Sequence, residues 1–471
     1  MVPTSYLVVA VVISFALSGL AIYICAKQNC PTVIKVVSAT FDFLLALSLF
    51  IASGTVANVS GVVNDITQDI EYYDEMVMVA LKDSKVIGME ELDGKRIGIQ
   101  TQTHEHLAMA SVEKLQEEYD VVLDVEEYRD IAFLVDALFH KKVDAIIYHY
   151  SFTDLLAEQI DGYAELIKII ECCKLTESDV ERYYKDESEL PMESTPKPIE
   201  PPTSEDTEPA ETITATKSNV FAVYLSGIDV YGSISKKSRS DVNILAIINP
   251  DDREVLLVTT PRDYYVEIPN VSNGQKDKLT HAGIYGVQAS MDTLSNLYGI
   301  DIDYYFRVNF TSFEKIIDAL GGVSVYSEHS FFVDGYSFKK GYNDVDGKSA
   351  LRFARERKTF ADGDHQRGKN QLALIKAIIS KACSPVILTA INDILDSVRD
   401  NVDTNIPETI IQDMIRSQLV DNKAWKVTTL AANGFNHNDV TYSMPSFKAY
   451  VMLPDMNSIS KIKSEILKMY N

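Results

Sequence analysis

The sequence predicts an α/β protein built from two unequal units behind an apolar N-terminus. Three observations carry this. Two long apolar stretches fill most of the first 57 residues, strand-like and helix-like runs alternate from Glu71 to Cys173, and three apolar strand candidates follow one another closely after an acidic, proline-rich segment. At 471 residues the chain can hold two or three domains, each with a core of its own.

The first stretch, Tyr6 to Ala26, carries no charge, and the second, roughly Val36 to Val56, carries only Asp42. Each is long enough to cross about 30 Å of hydrocarbon as a helix. Met1 to Ser5 has no basic residue of the kind that opens a cleaved signal peptide, so residues 1–57 are expected to be two retained spans. Lys27 and Lys35 lie between them, whereas Asn58 to Glu75 holds acids and no base. The positive-inside rule therefore places the connection in the cytoplasm and everything after it outside. Asp42 is expected to pack against the neighbouring span or to sit near the outer half of a short bundle.

With 68 acidic against 44 basic residues, eight histidines and a net charge of −24, the chain has no excess positive charge to displace counterions from a nucleic acid, so nucleic acid is not an expected partner. The five cysteines show neither a disulfide framework nor zinc spacing.

Residues 71–176 read as a small α/β unit. Its strand candidates are Met76 to Leu81, Arg96 to Gln100 and Asp144 to Tyr148, with helices from His104 to Tyr119 and from Ile131 to Phe139. The strings IGMEELDGKRIGIQTQT and LVDALFHKKVDAIIY resemble one lobe of the type 2 periplasmic solute-binding fold, which makes Thr101 and Thr103 the positions to watch. About 100 residues are too few for a two-lobed clamshell, and a protein-contact module is the expected role. His104 and His106 lack a third metal ligand nearby in sequence. Residues 177–217 hold six of the fifteen prolines among acids, Ser and Thr, and are expected to form a disordered linker.

The remaining 218–471 form the longest unit. Three strands are predicted, ending at Asp229, starting near Arg239 and ending at Asp263, with Asn249 to Arg253 as the turn between the second and third. If consecutive strands are antiparallel, Asp229, Arg239, Asp241, Arg262 and Asp263 gather at one sheet edge. The strands are apolar on both faces, as in a sheet sandwiched between helices, and strand ends in such domains are where sites are built.

A second charged cluster lies in FARERKTFADGDHQRGKNQ. From Asp364, a plausible N-cap, the spacing is helical, with Leu372, Ile375, Ile379 and Ala382 on one side and Arg367 and Gln371 four apart. Arg355 and Arg357 share a face if their segment is extended. Guanidinium forks match phosphate oxygens in geometry and stay charged. The pattern fits an anion site, and its spacing is also met by an arginine–carboxylate salt-bridge network.

Six blocks then occur in order: SRSD, LLVTTPRDYYVEIP, DKLTHAGIYG, VNFTSFEKIIDALGGVSV, FARERKTFADGDHQRGKNQ and YSMPSFKAYVMLPD. On these the region from Asn219 to Asn471 resembles the LytR-CpsA-Psr family, and the spans, small unit and linker look like its capsule-associated CpsA branch. Members of that branch often carry one more span. The resemblance implies a three-layer α/β/α domain with a central mixed sheet. It also implies Mg²⁺, with Mn²⁺ as a substitute, held by Asp229 and Asp241. Phosphate-binding arginines match Arg239, Arg262, Arg355, Arg357 and Arg367, with Gln371 as a polar contact. Asp364 matches the position that orders the second arginine cluster. Asp263 is implied as a group that positions an arginine or accepts a proton, and Lys278 as loop support. A lipid tunnel would be lined by Phe306, Val308, Phe310, Phe313, Ile316 and Leu320.

The activity so implied is transfer of a glycan-phosphate from undecaprenyl pyrophosphate to peptidoglycan on the outer face of the membrane of a Gram-positive-type bacterium. Arg239, Arg262, Asp263 and Asp364 form the catalytic set. The expected partners are the polyprenyl pyrophosphate lipid, an anionic glycopolymer (capsular polysaccharide ahead of wall teichoic acid), the peptidoglycan acceptor and the membrane. A pyrophosphatase that releases lipid monophosphate would use the same pocket. A membrane receptor reading lacks a cytoplasmic output segment.

Overall fold

The computed structural model describes residues 70–184, 219–228, 230, 233–360, 363–384, 402–421 and 423–471, with isolated positions at 19, 23 and 67. Apart from Gly19 and Tyr23 the two expected spans lie outside the described residues, as does Asp229. Among the described residues no helix is long and apolar enough to cross a membrane.

The first unit is a five-stranded sheet. Its strands are β1 (Tyr73–Leu81), β2 (Arg96–Gln100), β3 (Asp124–Tyr128), β4 (Ala145–His149) and β5 (Ile167–Thr176), in the order β3-β2-β4-β1-β5. β2 runs parallel to β3 and β4, and β1 is antiparallel to β4 and β5. Helix α1 (Glu105–Tyr119) buries Leu107, Val112 and Leu115 on one face of the sheet. Helices α2 (Ile131–Phe139) and α3 (Phe152–Gln159) cover the other with Leu134, Leu138 and Leu156. Asp130 starts α2 by accepting the amides of Ala132 and Phe133, which would otherwise lack partners at a helix start.

The expected linker begins differently from its reading as disordered. Glu177–Tyr184 is a helix, α4. Thr176 and Asp179 bond reciprocally at its start, and Val180 and Tyr183 pack on the α1 side of the core. Two apolar residues at helical spacing outweigh the polar composition around them.

The second unit is built on a six-stranded mixed sheet. Its strands are β6 (Phe221–Ile228), β7 (Ser240–Asn249), β8 (Glu254–Thr259), β9 (Tyr304–Val308), β10 (Val402–Thr404) and β11 (Lys426–Ala431), in the order β10-β9-β6-β7-β8-β11. β6, β7 and β8 are consecutively antiparallel, as the strand-end argument requires, while β9 and β11 are parallel additions at the flanks. Helices cover both faces. On one side α5 (Val287–Tyr298) and α9 (Met456–Tyr470) pack on Tyr224, Leu245 and Leu256. On the other, α8 (Asp364–Ala382) packs through Leu372, Ile375 and Ile379 on Val223, Ile244 and Leu257. Alternate strand residues thus serve opposite cores, and the layering is α/β/α. Between β9 and α8 come α6 (Phe310–Ala319), capped by Asn309, and α7 (Gly347–Arg355), which opens with a capping box at Asp346.

The two units meet along the start of β1. The backbone of Tyr73 bonds to Ser235 and Lys237, Lys237 pairs with Asp74 at 2.8 Å, and Lys236 pairs with Glu75 at 2.5 Å. The turn after β2, singled out by the solute-binding resemblance, faces the second unit. Gln102 donates to the Tyr442 carbonyl, and the His104 ring stacks on Tyr285 with centroids 5.1 Å apart. Its counterpart on the other face is His149, at 5.0 Å. Thr103 and His104 of this turn are buried, and Thr101 is half-buried.

Candidate active site

The sheet edge gathers charge as the strand order dictates. β7 opens at Ser240, so Arg239 and Asp241 flank its first residue, and β8 ends at Thr259, three residues before Arg262. Arg262 Nη1 donates to both oxygens of Asp241 at 2.9 Å, and Thr280 Oγ1 donates to the same carboxylate at 3.2 Å. Burial opposes ionisation of Asp241, but Arg262, Arg367 and Arg239 outweigh it and hold the carboxyl well below the usual carboxylate range. Asp263 lies behind this group, 3% exposed, 3.0 Å from Lys278 and 3.7 Å from Arg262. Burial again opposes its ionisation, and Lys278, Arg262 and Arg367 overcome it. Asp263 is absent from the cavity wall and acts on the site through Arg262, and Lys278 supports it from the KLTHA segment.

The second cluster arrives from two helices. α8 presents Arg367 and Gln371 on one face, both buried, and Gln371 donates weakly to the Ala354 carbonyl. Asp364 is the first helical residue; the cap position is Gly363, with a φ of 43°, and makes no side-chain cap. Arg355 and Arg357 do not share an extended segment, since Arg355 ends α7. The chain turns extended at Glu356, which still lets both side chains reach the same space. Arg355 lies over the Phe310 ring at 4.3 Å.

All five arginines, Gln371 and Asp241 line one cavity of about 510 Å³. The layer between sheet and helices is filled by Val223, Ile244 and Leu372 at one end. At the other it stays open between Leu225, Val242, Phe306 and Val308 on the sheet and Phe310, Phe313 and Ile316 on α6. Leu320, expected in this wall, turns instead into the core under the hairpin Val323–Ser327/Gly341–Val345. The cavity is therefore apolar along its length with guanidiniums at one end. That arrangement suits an amphiphile with an anionic head and a hydrocarbon tail.

Sequence reasoning missed three contributors. Thr280 sits in the quoted KLTHA block. Asp154, which accepts from Arg239 Nη2 at 3.0 Å, and Glu158, which lines the cavity, come from α3 of the first unit. No local signal connects residues 85 positions apart in separate units; only docking does. A metal fits in a restricted sense. Hard cations take oxygen ligands, and Mg²⁺ is commonly held by one or two carboxylates plus substrate phosphates. Asp241 is one such ionised carboxylate, and no group of three or more ligating side chains occurs among the described residues.

Residues 191–458 match the LytR_cpsA_psr family, and the chain belongs to that family. Among its relatives, the Bacillus licheniformis polyisoprenyl-teichoic acid–peptidoglycan teichoic acid transferase TagU is 33% identical over 258 residues, 53% of this chain and 78% of the relative. Its Bacillus subtilis counterpart is 32% identical over 231 residues, 49% of this chain and 74% of that one. The crystal structure of Bacillus subtilis TagV aligns at 27% identity with a TM-score of 0.46, covering 54% of this chain and 98% of that one.

Proposed function

We propose that this protein transfers a glycopolymer, as glycan-phosphate, from a polyprenyl pyrophosphate lipid to a hydroxyl of peptidoglycan. The observation that carries the reading is the single cavity in which an apolar wall meets Arg239, Arg262, Arg355, Arg357, Arg367 and Gln371. The names of the curated relatives, teichoic acid transferases to peptidoglycan, point the same way.

The acceptor hydroxyl oxygen forms a bond to the phosphorus that carries the glycan and gives up its proton to solvent, the P–O–P bridge breaks, and lipid monophosphate leaves with the bridging oxygen. The arginines spread the charge that develops on the phosphate oxygens, so positioning and electrostatics supply most of the acceleration. Asp241 holds Arg262 by accepting from Nη1 with both carboxylate oxygens, and Asp263 with Lys278 braces the same guanidinium from behind. Asp364 belongs to the helix start that carries Arg367 into the cavity. Asp241, with Asp229, would hold Mg²⁺, which when bound neutralises pyrophosphate charge. Undecaprenyl as the lipid and a capsular polysaccharide as the polymer complete the proposal, with the site kept at the outer membrane face by the two apolar N-terminal stretches.

Purified protein incubated with labelled lipid-linked glycan, peptidoglycan and Mg²⁺ should yield covalently labelled peptidoglycan. Omitting the acceptor should leave the lipid-linked glycan intact; release of lipid monophosphate without acceptor would mark a pyrophosphatase instead. Undiminished transfer by Arg262→Ala or Asp241→Ala would overturn the residue assignment.

A further inference from the structure

We infer that the cleft between the two units is a sugar subsite, in which the small N-terminal unit grips the first sugar of the pyrophosphate-linked glycan. The inference rests on the transferase reading above and adds to it a role for a unit that reading leaves idle.

A second cavity, of about 320 Å³, adjoins the first. Tyr150, Ser151 and Asp154 line it from the N-terminal unit, and Ser238, Arg239 and Arg355 from the other. Arg239 and Arg355 are common to both cavities. A phosphate held by those two guanidiniums therefore has a largely apolar space on one side and on the other a mixed one, where Val230 and Phe310 join the polar residues. The lipid tail belongs in the first. Whatever is bonded to the far side of the phosphate extends into the second.

The lining of the second space defines what fits. Ser151 is 6% exposed and among the described residues its hydroxyl has no hydrogen-bond partner, although buried polar groups are nearly always paired. Asp154 accepts from Arg239 with one carboxylate oxygen and offers further acceptor sites to hydroxyl donors. The Tyr150 ring, with Lys236 3.4 Å from its centroid on one face, adds an apolar plane. A hydroxyl to bond, a carboxylate to accept and an aromatic plane suit a ring rich in hydroxyl groups. The size is at the lower end for small-molecule sites, which matches one sugar rather than a long oligosaccharide. A sugar of the peptidoglycan acceptor shares this chemistry. The donor is favoured because the two shared arginines make the cleft continuous with the phosphate.

The test compares affinities of the full chain for farnesyl pyrophosphate and for farnesyl-pyrophosphoryl-N-acetylglucosamine, in the wild type and in Ser151→Ala and Tyr150→Ala. The wild type should bind the sugar-bearing lipid more tightly. Each variant should lose about two- to tenfold for that lipid, the scale of one net hydrogen bond, and bind the sugar-free lipid as the wild type does, which also reports correct folding. Equal wild-type affinities for the two lipids, or parallel losses for both in each variant, would overturn the subsite and leave the transferase reading standing. A wild type that binds neither lipid would overturn that reading as well. In a third arm, a soluble muropeptide is titrated onto protein carrying farnesyl pyrophosphate. Saturable binding there that is lost in Ser151→Ala would assign the cleft to the acceptor and overturn the donor assignment.

Discussion

Replacing Arg262 by alanine removes the guanidinium that holds the sheet-edge cluster together, and the expected loss can be worked from its contacts. Nη1 lies 2.9 Å from both oxygens of Asp241, and the two side chains are 11% and 17% exposed. At an effective dielectric of about 20, unit charges at that separation attract by about 6 kcal/mol before desolvation is counted. Removing one member of a buried pair costs about 3–5 kcal/mol, because the other charge stays buried. Asp241 keeps the influence of Arg367 and Arg239, and Asp263 keeps Lys278 at 3.0 Å, which places the loss near the lower bound, about 3 kcal/mol. Urea denaturation should show the midpoint falling by about 1 M at a slope near 3 kcal/mol/M. The pairing is isolated by adding Asp241→Asn. The double variant should be more stable than the sum of the single losses predicts, by at least about 1 kcal/mol. Additivity within about 0.5 kcal/mol would refute the claim that Asp241 and Arg262 act as a unit.

Two further outcomes follow from the packing around the site. Burial keeps the His104 imidazole well below its usual pKa, with His149, His106 and Lys237 adding to the effect and Asp74 opposing it; Asp74 itself is held at about 2 and stays ionised throughout. The unfolded chain protonates His104 near pH 6.5 and the folded chain does not. Stability present above that pH should therefore fall, by up to about 1.4 kcal/mol per pH unit, as pH drops from 6.5 to 5. Urea midpoints for wild type and His104→Asn across this range check it, and an equal slope in the variant would exclude His104 as the source. At Gly347, the first residue of α7, an added Cβ would run into the Glu314 backbone, which cannot step aside as a side chain could. Gly347→Ala should cost about 1–3 kcal/mol and shift α7, lowering transfer through a misplaced Arg355; a variant with unchanged stability would show that α6 and α7 separate easily.

Much of the site was legible in the sequence because the information is local. Apolar runs of six to ten residues, the second and third joined by a tight turn, make β6, β7 and β8 antiparallel neighbours, and antiparallel neighbours bring strand ends together. That logic placed Arg239, Asp241, Arg262 and Asp263 at one edge. Helical spacing likewise put Arg367 and Gln371 on one face of α8. The reading failed where a local pattern competes with packing. Glu177–Tyr184 has the composition of a linker yet packs Val180 and Tyr183 on the α1 side, and Leu320, which the family resemblance implies for the lipid wall, meets the other core, a choice no short block of sequence settles.

By itself, then, the sequence determined the elements, the antiparallel edge and the arginine-rich chemistry, since backbone propensity, side-chain period and charge are properties of short segments. Only the tertiary structure decided that five arginines from the position before β7, the segment after β8, α7, the turn that follows it and α8 face one cavity. It also decided that this cavity stays open rather than filling, and that α3 of the N-terminal unit supplies Glu158 to its wall and Asp154 as a partner to Arg239. Those outcomes depend on how layers and units dock, and docking is set by the summed burial of surfaces far apart in the chain, which no short segment encodes.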